Sequence, residues 1–376
     1  MPSDYKVPYT TILDIQPCPN ADRLVLGTIY GWQVVLPKDK FQIGSKVVYV
    51  PIDSVLPKNI EDILFKPDSK VKLNKSRIRQ IRLRGSVSQG MVIDPAELSS
   101  IINLDKIPLE TDLSAILNIS KYEPPPPKFQ SSMGGGGCKI RALENAAFHQ
   151  YNGLLNIKWN TTMFKEGDDV VIQCKLHGTN ARAGKLPYVA NTLWKKIKKA
   201  LKLVPAFEFC YGSNRVQLQE RSGYTGFYGT DVYGQTLKSI DTESKIKDGE
   251  TVFGEIVGPG IQKGYSYGLK EHRFVLFDVK ILNPDGSQTW LLPDEVEAFA
   301  KERGFEMVPI LYKGPYNKEL AYQLTKGSSE YNDKSEKVRE GIVIKSAKKY
   351  DIDGNKQALK WVSEDYLNDP TNTDEH

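Results

Sequence analysis

The segment 120–138, SKYEPPPPKFQSSMGGGGC, constrains this chain more than any other. Four consecutive prolines lack backbone N–H groups and fix φ, so they fit neither a helix interior nor a sheet ladder. Four consecutive glycines lose too much backbone entropy to be held in either. A proline run acts as a stiff, extended spacer and a glycine run as a flexible one. The sequence therefore divides into a unit at 1–119, a linker at 120–138 and a unit at 139–367. The polar tail NDPTNTDEH, 368–376, is expected to fray.

The first unit is a series of short strands broken by turn signals: TTILDIQP, RLVLGTIYGWQVVLP, KVVYVPID, SRIRQIRLRG and GMVIDP. Gly31, between two apolar runs, predicts a hairpin. Five such strands predict a small closed β-barrel of the OB type, a scaffold used on single-stranded nucleic acid. Ala96 to Ile119 is less regular and predicts helical turns. The second unit mixes strands with helices such as NTLWKKIKKALKL and PDEVEAFAKERG, giving an α+β fold overall.

Several classes of function are excluded or disfavoured. No apolar run approaches the ~18 residues of a membrane span. MPSDYKVPYT lacks the basic and apolar regions of a secretory leader. The four cysteines form no Cys-x-x-Cys pair, and the four histidines no His-x-x-x-His pair. Neither a disulfide framework nor a zinc site is indicated, so an intracellular setting, cytoplasmic or nuclear, is expected. A metal would be oxygen-liganded, as magnesium is. No membrane partner is expected, and a monomer is.

The strongest chemical signal is VVIQCKLHGTNARAG. An apolar strand delivers Lys175, and Gly178 is expected to turn the chain and let backbone approach a ligand. A lysine amine attacks only when unprotonated, and its reference pKa is about 10.4. A fixed, partly desolvated lysine beside cations is the form suited to nucleophilic attack. Downstream, TVFGEIVGPGIQKG places Glu255 in an apolar strand, where an unpaired carboxylate would be costly. HRFVLFDVKI places Phe277, VREGIVIK places Glu340 and Lys345, and QALKWVSEDYL places Lys360.

These segments, in this order, resemble motifs I, III, IIIa, IV and V of the covalent nucleotidyltransferases: DNA ligases, RNA ligases and messenger-RNA capping enzymes. KLHGTNAR and FGEIVGPGIQ resemble the RNA ligase branch. WQVVLPKDKFQIGSKVVYVPIDSVLP, followed by IRLRGSVSQGMVI, resembles the N-terminal OB-like domain of one ATP-dependent RNA ligase family, which has no domain after motif V.

The resemblance implies a lysyl–AMP at Lys175, made from ATP with magnesium or manganese, and sealing of RNA 5′-phosphate and 3′-hydroxyl ends at nicks. It implies nucleotide contacts from Gln173, Leu176, Asn180, Arg182, Arg215, Glu255, Phe277, Lys345 and Lys360. Glu340 and Glu255 would orient the metal. Two positions depart from the family pattern: Cys174 stands where an acid is usual, and Ala358 where motif V has a first lysine. Lys356 lies on the same strand face as Ala358.

The net charge of +5 is concentrated in two clusters. In SKVKLNKSRIRQIRLRG, Arg77, Arg79, Arg82 and Arg84 alternate with apolar residues and predict a strand with a basic, RNA-binding face beside a buried one. In NTLWKKIKKALKL, Leu193, Ile197 and Leu201 form one helical stripe with lysines mostly off it. The plainest expectation is an ordinary amphipathic surface helix. Contact with RNA or a membrane surface is the alternative. Two rival functions remain: a DNA ligase or GTP-using capping enzyme, and a non-catalytic RNA-binding protein on the same folds.

Overall fold

The computed structural model describes residues 5–65, 73–122, 145–151, 154–190, 192–218, 228, 230–331, 338–350 and 356–369. The proline and glycine runs and the tail from residue 370 lie outside the described residues. Contacts separate the chain into two compact units, one within residues 1–126 and one within 127–372.

In the first unit, Leu24–Ile29 and Trp32–Pro37 form the expected hairpin. Tyr30 and Gly31, with φ of 52° and 90°, make the tight turn that matches strand twist. TTILDIQP splits into Tyr9–Thr11 and Asp14–Pro17, which join different three-stranded sheets. One sheet orders Tyr9–Thr11, Lys46–Val50 and Met91–Ile93. The other orders Asp14–Pro17, Leu24–Ile29 and Trp32–Pro37. Val7, Tyr9, Val48, Val50, Ile60, Ile93 and Leu113 pack beneath the first sheet.

The expected closed barrel is not formed among the described residues. Ile81–Leu83 and Ser86–Ser88 stand as a separate two-stranded hairpin. It meets Trp32–Pro37 partly through side chains that replace ladder bonds: Val35 N–H donates to Ser88 Oγ at 3.1 Å and Gln33 Nε2 to the Val87 carbonyl at 2.7 Å. Short helical turns at Pro95–Leu98 and Leu104–Lys106 match the expectation for that stretch. Ser120–Lys121, expected in the linker, instead pairs with Ser54–Val55.

The arginine-rich segment also differs from expectation. Only Ile81–Leu83 is strand. Ile81 and Leu83 are 49% and 38% exposed, so alternation buries neither face. Arg77 turns inward: its Nε donates to Asp53 Oδ1 at 3.0 Å, and its guanidinium lies 4.0 Å from the Tyr122 ring centroid. Arg79 is half-buried. Arg82 and Arg84 are exposed, Arg84 at the hairpin tip.

The second unit is built on two sheets. The five-stranded sheet runs Leu155–Asn156, Lys356–Val362, Gly341–Tyr350, Asp169–Lys175, Ile310–Pro315. The six-stranded sheet runs Gln217–Leu218, Phe207–Ser213, Thr179–Pro187, Glu250–Val257, Arg273–Leu282, Gln288–Trp290. The helix Pro293–Arg303 forms where PDEVEAFAKERG predicts it. Proline opens its first turn, and Gly304, at φ 66°, ends it. Its Val296, Phe299 and Ala300 pack on Phe274, Leu276 and Val279.

The helix Leu193–Ala200 forms as expected, capped by Thr192, but buries no residue. The helix lies at the surface, and its apolar residues do not pack inward: Leu193 and Trp194 are 74% and 73% exposed.

Candidate active site

Several segments of the second unit converge on one cavity of about 260 Å³. Alternation along Asp169–Lys175 puts Gln173 and Lys175 on one strand face. Cys174 points the other way, into a core with Val257, Tyr265 and Val275. Cys174, at the position where the family pattern has an acid, also borders the cavity, with its thiol 3.9 Å from Ser329 Oγ. Lys175 is opposite Gly341 in the ladder, which brings the adjacent Glu340 within 2.5 Å of Lys175 Nζ.

Gly178 lies between the strands Asp169–Lys175 and Thr179–Pro187. A Cβ there would lie 2.4 Å from the Ile256 carbonyl oxygen and 2.8 Å from Glu255 Cγ. The glycine is required because the chain crosses tightly over Glu250–Val257. That crossing places Asn180 directly opposite Glu255. His177 anchors the loop: its backbone N–H donates to Tyr267 Oη at 2.7 Å, and its ring meets the edges of Tyr265 and Tyr366.

Phe277 sits at a β-bulge. The ladder pairs Phe253 with Asp278 and Gly254 with Leu276, which leaves Phe277 as the extra residue. Bulges re-aim side chains, and here the Phe277 ring lines the cavity. Lys345 Nζ takes up the Phe277 carbonyl at 2.7 Å and reaches Asp278 Oδ1 at 3.0 Å. Lys356 Nζ donates to Asp278 Oδ2 and, at 2.6 Å, to Tyr151 Oη. Tyr151 in turn donates to Asp278 Oδ2 at 2.6 Å. One buried carboxylate thus holds two ammonium groups beneath the cavity.

The electrostatics follow from this packing. Burial alone would raise the Asp278 carboxyl, but Lys345 and Lys356 outweigh it and hold the group below its ordinary value. Burial pulls Lys356 down to about 7, helped by the charge of Lys345 and opposed by Asp278. Burial pushes Glu255 up to about 8, against the pull of Lys175 and with the repulsion of Glu340.

The cavity walls hold Gln173, Lys175, Leu176, Asn180, Glu255, Phe277, Lys345 and Lys360 together. Glu340 joins them through Lys175. Two expected residues are elsewhere. Arg182 is 1% exposed and sealed into the six-stranded sheet: Nε donates to the Ser213 carbonyl at 2.9 Å, NH1 to that of Phe148, and the guanidinium stacks on the Phe148 ring. Strand alternation puts Arg182 on the same strand face as Asn180, but its stack on Phe148 holds the guanidinium out of the cavity wall. Arg215 is exposed in the turn after Phe207–Ser213 and does not line the cavity. Tyr151 and Asp278 were not anticipated as site residues. Asp278 had a legible signal, a carboxylate inside an apolar strand, and Tyr151 had none.

At this site three buried polar atoms have no hydrogen-bond partner among the described residues: Gln173 Nε2, Asn180 Oδ1 and Glu340 Oε2. The last lies 3.9 Å from His177 Nδ1, too far for a bond. Leaving each unsatisfied costs about 1–3 kcal/mol. A donor and two acceptors around an aromatic wall and a row of lysines fit a nucleoside phosphate. Among the described residues no group of three or more His, Cys, Asp or Glu assembles. A cation would therefore be held by Glu255 and Glu340 together with substrate phosphates, the usual manner for magnesium.

This geometry suits nucleotidyl transfer to a lysine. A family model for RNA ligase matches residues 168–362, just over half of the chain, and a model for an OB-fold domain matches residues 7–95. The chain belongs to the RNA ligase family. Its fold is similar to that of the Naegleria gruberi RNA ligase with pyrophosphate, at 22% identity and a TM-score of 0.65, covering 96% of this chain and 97% of that one. A variant of that enzyme with AMP and manganese aligns at 21% identity and a TM-score of 0.68, covering 97% and 98%. Another variant, with ATP and manganese, aligns at 20% and 0.67, covering 96% and 98%.

Proposed function

We propose that this RNA ligase uses ATP to adenylate Lys175 and then joins RNA 5′-phosphate and 3′-hydroxyl ends, with nicks in a duplex as its substrate. The observation that carries the reading is Lys175 itself. It ends a buried strand, is held by Glu340, and opens on a cavity whose walls carry unpartnered polar atoms and the lysines Lys345 and Lys360.

Lys175 Nζ attacks the α-phosphorus of ATP. The N–P bond forms, the bond to the bridging oxygen breaks, pyrophosphate leaves, and the lysine proton passes to Glu340. A 5′-phosphate oxygen of RNA then displaces Lys175, and the 3′-hydroxyl displaces AMP. Phe277 stacks on the adenine, an interaction worth about 1–3 kcal/mol. Gln173 reads the adenine edge, and Asn180 and Glu255 hold the ribose. Lys345 and Lys360 balance phosphate charge as it develops. Magnesium or manganese, held by Glu255 and Glu340, would offset charge on the departing pyrophosphate. The first unit contributes Arg82 and Arg84 to the RNA backbone. The monomer is the working form, in a reducing compartment that suits the free, buried Cys18, Cys174 and Cys210.

The test is sealing of end-labelled RNA presented as a nicked duplex, as a single strand, and with DNA in place of RNA. Efficient sealing of the RNA nick, absent in Lys175→Ala, supports the reading. No sealing of any RNA substrate by adenylated protein overturns it.

A further inference from the structure

The helix Leu193–Ala200 is mounted inside out. At roughly 100° per residue, Leu193, Trp194, Ile197, Ala200 and Leu201 fall within an arc of about 120°, and the lysines occupy the remainder. An ordinary amphipathic helix packs such an arc against its own core. Here the inward contacts come from the opposite side. Lys199 Nζ donates to the Tyr188 carbonyl at 2.9 Å, and Lys195 Nζ lies 5.8 Å from the Tyr188 ring centroid. No residue of the helix is buried. Leu193, Trp194, Ile197, Leu201 and Leu203 are all exposed.

A contiguous exposed apolar patch rimmed by charge marks an interaction surface. We infer that this helix docks the enzyme on an anionic lipid bilayer. Lys196 and Lys198 flank the apolar arc on its two sides, at headgroup height for a helix lying in the interface, while Trp194 and the leucines enter the acyl boundary. An RNA backbone would engage the lysines and leave the apolar arc in water, whereas a bilayer interface satisfies both. Among the described residues no helix is long and apolar enough to cross a membrane, so the contact is peripheral. This departs from the expectation that the protein has no membrane partner.

The experiment is co-sedimentation of the full-length protein with vesicles of phosphatidylcholine alone or mixed with phosphatidylserine. Trp194→Gln, Ile197→Gln and Leu201→Gln are combined in one variant, and Lys196→Glu with Lys198→Glu in a second. None of these residues lines the nucleotide cavity, so ATP labelling of Lys175 serves as the folding control. Wild type should bind the anionic vesicles and bind the neutral ones weakly. The apolar variant should lose roughly tenfold in partitioning to both, and the charge variant should lose its preference for anionic lipid. Absence of vesicle binding by wild type, or equal binding by the apolar variant, overturns the proposal. So does an apolar variant that keeps vesicle binding but loses RNA binding, which would make the helix an RNA surface.

Discussion

Replacing Asp278 by asparagine tests the network beneath the cavity. The carboxylate is 3% exposed and holds Lys345 and Lys356, whose side chains are 5% and 14% exposed. Asparagine keeps the shape and removes the charge. Breaking a buried pair on one side costs about 3–5 kcal/mol, because the remaining charge is left uncompensated. Lys345 retains the Phe277 carbonyl and Lys356 retains Tyr151, which sets the expectation near the lower end. The loss should depend on pH. Lys356 is already depressed to about 7 and falls further without Asp278. Below pH 7 the folded variant must either hold that ammonium unpaired or release a proton that the wild type and the unfolded chain retain, and either costs stability. Above it the lysine sheds its proton in both proteins, and the difference narrows. Urea unfolding of wild type and Asp278→Asn at pH 6 and pH 9 reads this out. Adding Lys356→Met should restore part of the stability, since a neutral pair carries no stranded charge. A destabilisation under about 1 kcal/mol at pH 6 would refute the reasoning, because it would mean that Asp278 does not hold charged lysines.

Three further outcomes are expected. Gly178→Ala forces a Cβ against the Ile256 carbonyl, so it should cost about 1–3 kcal/mol in unfolding and slow adenylation; unchanged adenylation would contradict the tight crossing. Arg182→Met should lower stability by about 3 kcal/mol by stranding the Ser213 and Phe148 carbonyls, while the KM for ATP of the folded enzyme stays unchanged; a raised KM would return Arg182 to the nucleotide. Glu255 has a folded value near 8, above its ordinary one, so the native state holds a proton that the unfolded chain has released, and stability drains as pH rises from the ordinary carboxylate range through 8. Glu255→Gln should flatten the dependence of Tm on pH across that window, and parallel slopes would show that Glu255 does not titrate there.

Much of the site was legible in the sequence because covalent nucleotidyl transfer fixes residue types at strand positions. Lys175, Glu255, Phe277, Glu340, Lys345 and Lys360 come from five separate segments, and each lies on a strand or immediately before one. Period-two alternation then determines which face they share. What was not legible depended on tertiary geometry. Phe277 and Asp278 are adjacent, and only the bulge decides that the ring lines the cavity while the carboxylate lies beneath it. Arg182 reads as a phosphate ligand until Phe148, from a distant segment, stacks on it. The barrel was overestimated because SRIRQIRLRG alternates like a half-buried strand, yet Arg77 is drawn inward by Asp53 and the remainder forms a projecting hairpin. The helical stripe of Leu193, Ile197 and Leu201 was correct in period, but period does not say which face a helix turns to its own protein.

The most direct test of the central claim is to incubate the folded protein, freed of bound AMP, with α-labelled ATP or GTP and magnesium or manganese. The polypeptide is then denatured and the labelled residue mapped. The account predicts acid-labile AMP from ATP on Lys175, absent in Lys175→Ala. No label with either metal, or label that persists in Lys175→Ala, would contradict it.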